Sequence, residues 1–479
     1  MIKSHQTKLP QGVLLLLQGM GLLLLTFFLF QIFSTGKGMP YLLAILAGLG
    51  ALCILHRPDW GVLVLLMVWF LDFSPRILAV RFLSLPYLVV GVLLIPFTLS
   101  ILRDRVIWVF RVPQVKIFLL IGIFLLVSTW WSLEQHPLSI VPEFDSTERM
   151  LHLFFARLIF LVFFIYFITT QKRIELAVFL ALVLILMAAQ SAWPALLSGK
   201  DVGRARATFS LAANSNRLAF ICLFATSLLW FYRASLQTRW KSLIVPLLFF
   251  LPATALKTGS RSGFIQMIVL AVLILKEQEG WSAIKRIHSF LFLGAVLIFL
   301  SVIVPATQYM RATSFDPTTQ APGKQSLNHR ITRIGHLLET AASNPILGIG
   351  IGNFRWLNQI RYGDDRQPHN SYLGTLAESG APVLSLYLLL FYFTYRMLNQ
   401  LKRSGPRELL WLSKGLRVNF ILFLVFSAFA DFWVNDFLYL IIGLTVAMTV
   451  LWQRQDVTAV QLPPRSVPLL TPVGLTALS

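Results

Sequence analysis

Two arginines and one histidine in this chain stand where they could handle an anion and a proton. Arg206 lies in Ala205-Arg206-Ala207-Thr208, and Arg261 in Gly259-Ser260-Arg261-Ser262-Gly263. Small neighbours let a ligand approach the backbone beside a guanidinium, whose planar fork pairs bidentately with phosphate oxygens and stays charged. The same setting also suits an arginine that snorkels to lipid headgroups. His369, in Pro368-His369-Asn370-Ser371, leads into an apolar helix with Asn370 or Ser371 as its cap. An imidazole there can take a proton from a hydroxyl, or simply be a surface residue at a helix start. His329, Arg333 and His336 recur at i, i+4 and i+7 beside Arg330, a spacing that fits a ligand face or a solvated helix surface.

A further pattern, Gly348-Ile349-Gly350-Ile351-Gly352-Asn353, puts glycine at alternate positions. No strand–turn–helix unit surrounds it, so it is not a dinucleotide fingerprint. It reads as a backbone passing close to something, either a packed helix or a substrate.

Membrane helices must hold these residues. The chain has 479 residues, 57% hydrophobic and 13% charged, with a mean hydropathy of +0.73. A soluble core stops growing well before this length. The apolar residues form span-length blocks between short charged loops, which predicts an all-α polytopic integral membrane protein of about 12–14 transmembrane helices. Candidate spans lie near 12–34, 41–56, 59–72, 83–101, 114–131, 151–170, 174–197, 213–232, 243–257, 262–276, 289–306, 372–397, 416–431 and 433–452. Gly12 to Phe33 reads as a retained first helix rather than a removed leader. Residues 1–306 would then hold about eleven spans, 307–371 one long outer loop, 372–452 the last spans, and 453–479 a Pro-rich cytoplasmic tail without expected structure. In the loop, Ser326 looks like an N-cap for a helix from Leu327 to Ser343. Ile331, Ile334, Leu337 and Leu338 share one side of it, and Pro345 follows its end.

Lys and Arg in short loops set orientation. With Lys3 and Lys8 inside, the inner turns carry Arg57, Arg103/Arg105/Arg111/Lys116, Lys172/Arg173, Arg233/Arg239/Lys241, Lys276/Lys285/Arg286 and Arg396/Lys402/Arg403/Arg407. Both termini are therefore expected in the cytoplasm. Three outer segments, 199–217, 257–261 and 307–371, are basic where the rule expects depletion. Length excuses the third but not the first two, so an anion is expected on that side. The net charge of +21 does not point to nucleic acid, because the basic residues are scattered through short loops instead of clustering on a soluble face. Cys53 and Cys222 sit in apolar runs without disulfide or metal spacing.

Four motif groups occur in order. They are Arg206-Ala207-Thr208-Phe209 with Asn214-Ser215-Asn216, Thr258-Gly259-Ser260-Arg261-Ser262-Gly263, Asn344-Pro345-Ile346-Leu347-Gly348-Ile349-Gly350, and His369-Asn370-Ser371-Tyr372-Leu373 with Glu378-Ser379-Gly380. Together they resemble the O-antigen ligase and polymerase family, over roughly residues 200–385. The chain departs from the family at Ser262, where many relatives have Gly, and lacks a Pro before Asn216; neither change removes a charged group. The resemblance implies a GT-C-like membrane glycosyltransferase of the bacterial inner membrane. It further implies a glycan donor on undecaprenyl pyrophosphate and metal-independent, inverting transfer on the periplasmic face, without a cofactor. The acceptor would be lipid A-core for a ligase, the reading preferred here, or a second lipid-linked glycan for a polymerase, in lipopolysaccharide or other surface polysaccharide synthesis. By motif, the catalytic roles fall on His369 as base, Arg261 and Arg206. Arg330, Arg333, Asn216, Asn370 and Glu378 are the substrate-binding candidates, with membrane lipids as further partners.

Two other classes compete. A metal-dependent glycosyltransferase would use outer carboxylates such as Asp72, Asp364, Asp365, Asp431 or Asp436, but none forms a paired ligand motif. An anion transporter of the bicarbonate type would want mid-membrane charges and an inverted repeat. Here the charges sit at helix ends, and no repeat is visible.

Overall fold

The computed structural model describes residues 48–71, 85–104, 108–135, 147–197, 214–236, 238–277, 324–430 and 435–459, with the isolated positions 287 and 294. The helices are α1 (Pro58–Leu71), α2 (Leu85–Asp104), α3 (Pro113–Gln135), α4 (Thr147–Phe167), α5 (Gln171–Leu197), α6 (Ser215–Ser235), α7 (Thr238–Lys257) and α8 (Arg261–Glu277). They continue with α9 (Lys324–Ser343), α10 (Phe354–Tyr362), α11 (Ser371–Ser404), α12 (Leu410–Ser427) and α13 (Asp436–Ala459). Among the described residues eight helices, α2 to α6 and α11 to α13, are long and apolar enough to cross a membrane, and α1 and α7 are shorter apolar helices. The protein is an all-α polytopic membrane protein. The span expected near 12–34, that near 289–306 apart from position 294, and residues 41–47 of the one near 41–56 lie outside the described residues.

α2 and the part of α1 up to Leu65 belong to one compact unit; the rest of α1 and everything from Trp108 onward belong to a second. In the first, Gly61 leaves room for the side chains of Ile54 and Leu93. The second unit carries the site. At its centre are α6 and α13, each with 78% of its apolar window buried inside the protein, whereas α3 has 44%. Phe220 stacks on Phe426 (4.7 Å between ring centres, 5°) and meets Phe437 edge-on (5.6 Å, 89°), tying α6, α12 and α13 into one aromatic cluster.

Polar contacts identify the two ends of this bundle. Asn216 at the start of α6 bonds Ser260, just before α8. Arg217 pairs with Asp436 at the start of α13. Ser371 at the start of α11 bonds the Ala430 carbonyl after the end of α12. These contacts gather the first residues of α6, α8, α11 and α13 at one end. At the other, the buried Glu277 closing α8 pairs with Lys402 (2.9 Å), late in α11, and with Arg417 in α12. A carboxylate out of water needs such partners, since an unpaired buried charge is strongly destabilising.

α11 is kinked. Gly380 has φ 80° and ψ 174°, non-helical values inside an otherwise helical run, and Pro382 follows. The break frees the Ala377 carbonyl and the Ala381 amide, which a buried helix cannot leave unpaired. The loop after α9 satisfies both: the Ile349 amide donates to Ala377 (3.1 Å), and the Ala381 amide donates to the Pro345 carbonyl (2.8 Å). The alternating glycines make this approach possible. Gly348 (φ 66°) has no room for a Cβ against the Glu378 backbone, Gly380 none against Ile346, and Gly350 (φ 87°) none against Ser132. Of the two readings left open by this motif, the described contacts are those of a packed helix.

Candidate active site

The turn 258–261 is built from its own hydroxyls. Thr258 donates to the Ala255 carbonyl (2.7 Å) and accepts from the Ser260 amide (3.2 Å), while Gly259 takes φ 60°. The Ser260 hydroxyl accepts from the Gly263 amide (3.0 Å), donates to Asn216 Oδ1 (2.7 Å) and lies 2.9 Å from the Ser262 hydroxyl. Gly263 carries no Cβ because Ala219 of α6 occupies that space, so α6 and α8 touch at their first turns. The Asn214–Asn216 and Thr258–Gly263 motifs thus form one assembly. Asn216 lies within it, 7% exposed, and Arg261 stands partly exposed as the first residue of α8. Arg206 lies outside the described residues.

A second assembly delivers His369. α9 begins at Lys324, so Ser326 falls inside its first turn and does not cap it. Of its apolar stripe, Leu337 is buried, while Ile331, Ile334 and Leu338 are 40–56% exposed. Arg333 takes the interior place instead, at 2% exposure. Its Nε donates to Asp364 Oδ2 (3.1 Å) and its Nη1 to the Gln367 carbonyl (3.1 Å). Burial alone would raise the Asp364 carboxyl, but Arg333 first and then Arg366 hold it below the ordinary carboxylate range. Asn358 of α10 adds a bond to the Asp364 carbonyl (2.6 Å) and meets His336 Nδ1 at 2.7 Å. His336 stacks on Tyr362 (3.6 Å), whose hydroxyl donates to Glu339 (2.6 Å). These bonds clamp the loop 363–367 from both helices.

At its end His369 takes φ 54°, the described residues' one positive φ outside glycine. Asn370 caps α11, accepting from the Leu373 amide (3.0 Å), a contact of a kind that contributes about 1 kcal/mol. Glu378, 3% exposed, accepts from the Phe354 amide (3.1 Å), placing a carboxylate on the positive end of α10. Among the sequence candidates, then, Arg333, Asn370 and Glu378 make contacts that shape the scaffold around His369. Arg330 is partly exposed on α9.

Reading the sequence missed four arginines. Arg157 and Arg217 grip Asp436, 8% exposed, through bonds of 2.7 Å each. Two cations against one carboxylate leave this cluster with a net +1 beside the first turn of α6. Arg355 and Arg366 line an open depression together with Asp365, Gln367 and His369. The carboxylates considered as metal ligands each meet arginine: Asp364 with Arg333 and Arg366, Asp365 with Arg355, Asp436 with Arg157 and Arg217. Asp72 and Asp431 lie outside the described residues.

The stretch holding both the Arg261 turn and the His369 loop, residues 246–388, matches the family model described as O-antigen ligase. Over these residues the chain is similar to O-antigen ligases. No curated protein matches it. Arg261, Arg330, Arg333, His369, Asn370 and Glu378 fall inside the matched segment, and Arg206 and Asn216 precede it.

Proposed function

We propose that this protein is an O-antigen ligase-type glycosyltransferase. It moves a glycan from undecaprenyl pyrophosphate to a hydroxyl of lipid A-core at the periplasmic face of the inner membrane, with both termini in the cytoplasm. One observation carries the reading: hydrogen bonds draw the Arg261 turn, Asn216 and the helix start behind His369 to the same end of the bundle.

Arg206 and Arg261 hold the diphosphate and stabilise the charge that grows on it as the anomeric C–O bond breaks. Preorganised donors of this kind commonly supply the largest catalytic term. The acceptor oxygen attacks the anomeric carbon from the opposite side and gives its proton to His369. A new glycosidic bond forms with inversion, and undecaprenyl pyrophosphate leaves with the electron pair. Asn216 steadies the arginine turn through Ser260, and Arg330 and Arg333 border the loop that carries the base.

The test is transfer by the purified protein, with lipid-linked glycan as donor and either lipid A-core or a second lipid-linked glycan as acceptor. Product on lipid A-core is expected. Elongation of lipid-linked repeats alone would make the protein a polymerase. Arg261→Lys should lose most transfer, since a point charge does not replace the fork; full activity in Arg261→Ala would remove the residue from the site. Cysteine labelling from outside should reach a probe at Gly323 and miss one at Ser404, and the reverse would overturn the sidedness.

A further inference from the structure

A transferase needs room for two substrates, and the groups assigned above serve only the donor and the proton. Because His369 receives the acceptor's proton, the accepting hydroxyl has to arrive beside it. The space there is the depression of about 340 Å³ lined by Arg355, Asp365, Arg366, Gln367 and His369. Two of these five side chains are cations against one carboxylate.

Each arginine has one long ion contact. Arg355 Nη2 lies 3.7 Å from Asp365, and Arg366 Nε lies 3.8 Å from Asp364, beyond the roughly 2.7–2.9 Å of a charge-assisted hydrogen bond. Asp364 is already bound at 3.1 Å by the buried Arg333. Arg355 and Arg366 line the depression with 29% and 47% of their side chains exposed. An oxyanion set between them would make the shorter contacts, and the guanidinium fork suits a two-oxygen group. Both arginines are also firmly carried. Arg355 sits in the first turn of α10, which Glu378 caps, and its Nε donates to the Asp365 carbonyl, while Arg366 belongs to the loop clamped by Arg333.

From this geometry we infer that the depression is the acceptor subsite, and that Arg355 and Arg366 read an anionic group, a phosphate or a carboxylate, borne on the accepting sugar or its neighbour. The inference rests on the transferase reading given above. It makes acceptor choice a matter of charge beside the hydroxyl, and a neutral glycan end a poor acceptor.

The experiment uses the whole protein in nanodiscs and two matched pairs of acceptors. One pair is an oligosaccharide phosphorylated next to the accepting hydroxyl and its phosphatase-treated twin. The other is a uronic-acid-terminated oligosaccharide and its carboxyl-reduced twin. Arg355→Gln and Arg366→Gln should each raise the acceptor KM about ten- to a hundredfold, the worth of a hydrogen bond to a charged group. The effect is confined to the anionic member of a pair, with kcat and donor KM held. Which pair responds tells phosphate from carboxylate. Arg355→Lys should recover part of the loss, and hydrogen exchange over 363–369 reports whether a variant has disturbed the loop instead. Equal KM for both members of both pairs in the wild type would overturn the subsite, as would variants that impair neutral and anionic acceptors alike with the loop intact. Acceptor binding measured without donor separates the two ideas. Charge-selective binding through Arg355 and Arg366 with no glycan moved would sink the transferase reading and leave the subsite standing, and transfer indifferent to acceptor charge would do the opposite.

Discussion

Arg333 and Asp364 join α9 to the loop before His369, Nε to Oδ2 at 3.1 Å, with the guanidinium 2% and the carboxylate 21% exposed. The Gln367 carbonyl takes a second bond from the same fork, so one side chain sets two points of a short loop. His369 inherits its position from this clamp.

Loss of the clamp should be measurable as loss of order. Breaking a fully buried pair costs about 3–5 kcal/mol, and the partial exposure of Asp364 lowers that figure here. Arg333→Ala should speed hydrogen exchange over 363–369 at neutral pH and reduce transfer with donor binding kept. Wild-type protection in that variant would show that the loop is held by other means. Acid should act through Asp364, whose carboxyl is held below its ordinary value. A depressed carboxyl contributes stability that is complete above the unfolded pKa, near 3.9, and is lost as pH falls through the folded one. The loop is therefore expected to stay protected from neutrality down to about pH 4 and to open only below it. Asp364→Asn should abolish that acid step.

The kink in α11 predicts which glycines are replaceable. Alanine at Gly380 or Gly348 meets both a left-handed φ, costing about 1–2 kcal/mol, and a backbone already in contact. Both variants should melt at lower temperature in detergent. Gly335, inside α9 with open space around it, is the matched control. Gly335→Ala should be stabilising by about 0.5–1 kcal/mol. A melting temperature unchanged by Gly380→Ala would mean that the loop and the kink are not joined as described.

For His369 the left-handed backbone decides which substitution is informative. Asparagine adopts that region more readily than most residues, so His369→Asn keeps the backbone while removing the proton acceptor. Turnover should fall by about 10² to 10⁴, the usual worth of a positioned base. Donor and acceptor binding should hold. Normal transfer in His369→Asn would end the assignment, and lost donor binding would make His369 a phosphate ligand instead.

Hydropathy and local chemistry made much of this legible beforehand. The described spans overlap their apolar blocks with ends up to seven residues apart, and the Asn370 cap follows from residue type next to the Tyr372–Leu373 run. What stayed hidden depends on distant pairing. Nothing near Asp436 announces that Arg157 and Arg217, 279 and 219 positions away, will grip it. The sequence grouped Ile331 and Ile334 on one apolar side of α9, yet Arg333 is the buried residue because its partners arrive with a loop thirty-odd positions later. α10 escaped notice because it is only nine residues long, mixes polar with apolar residues and is fenced by Gly352 and Gly363, and with it went Arg355.

The joint between α11 and the loop after α9 is made of main-chain atoms, with the Ile346 side chain left 66% exposed. Such a joint is indifferent to most spelling and intolerant of any change in count. Ile346 can drift among many residue types without loosening either bond. Adding or deleting one residue between Pro345 and Ile349 would pull one of the two out of register, and with it the spacing that hangs α10, the clamped loop and His369 from the kink.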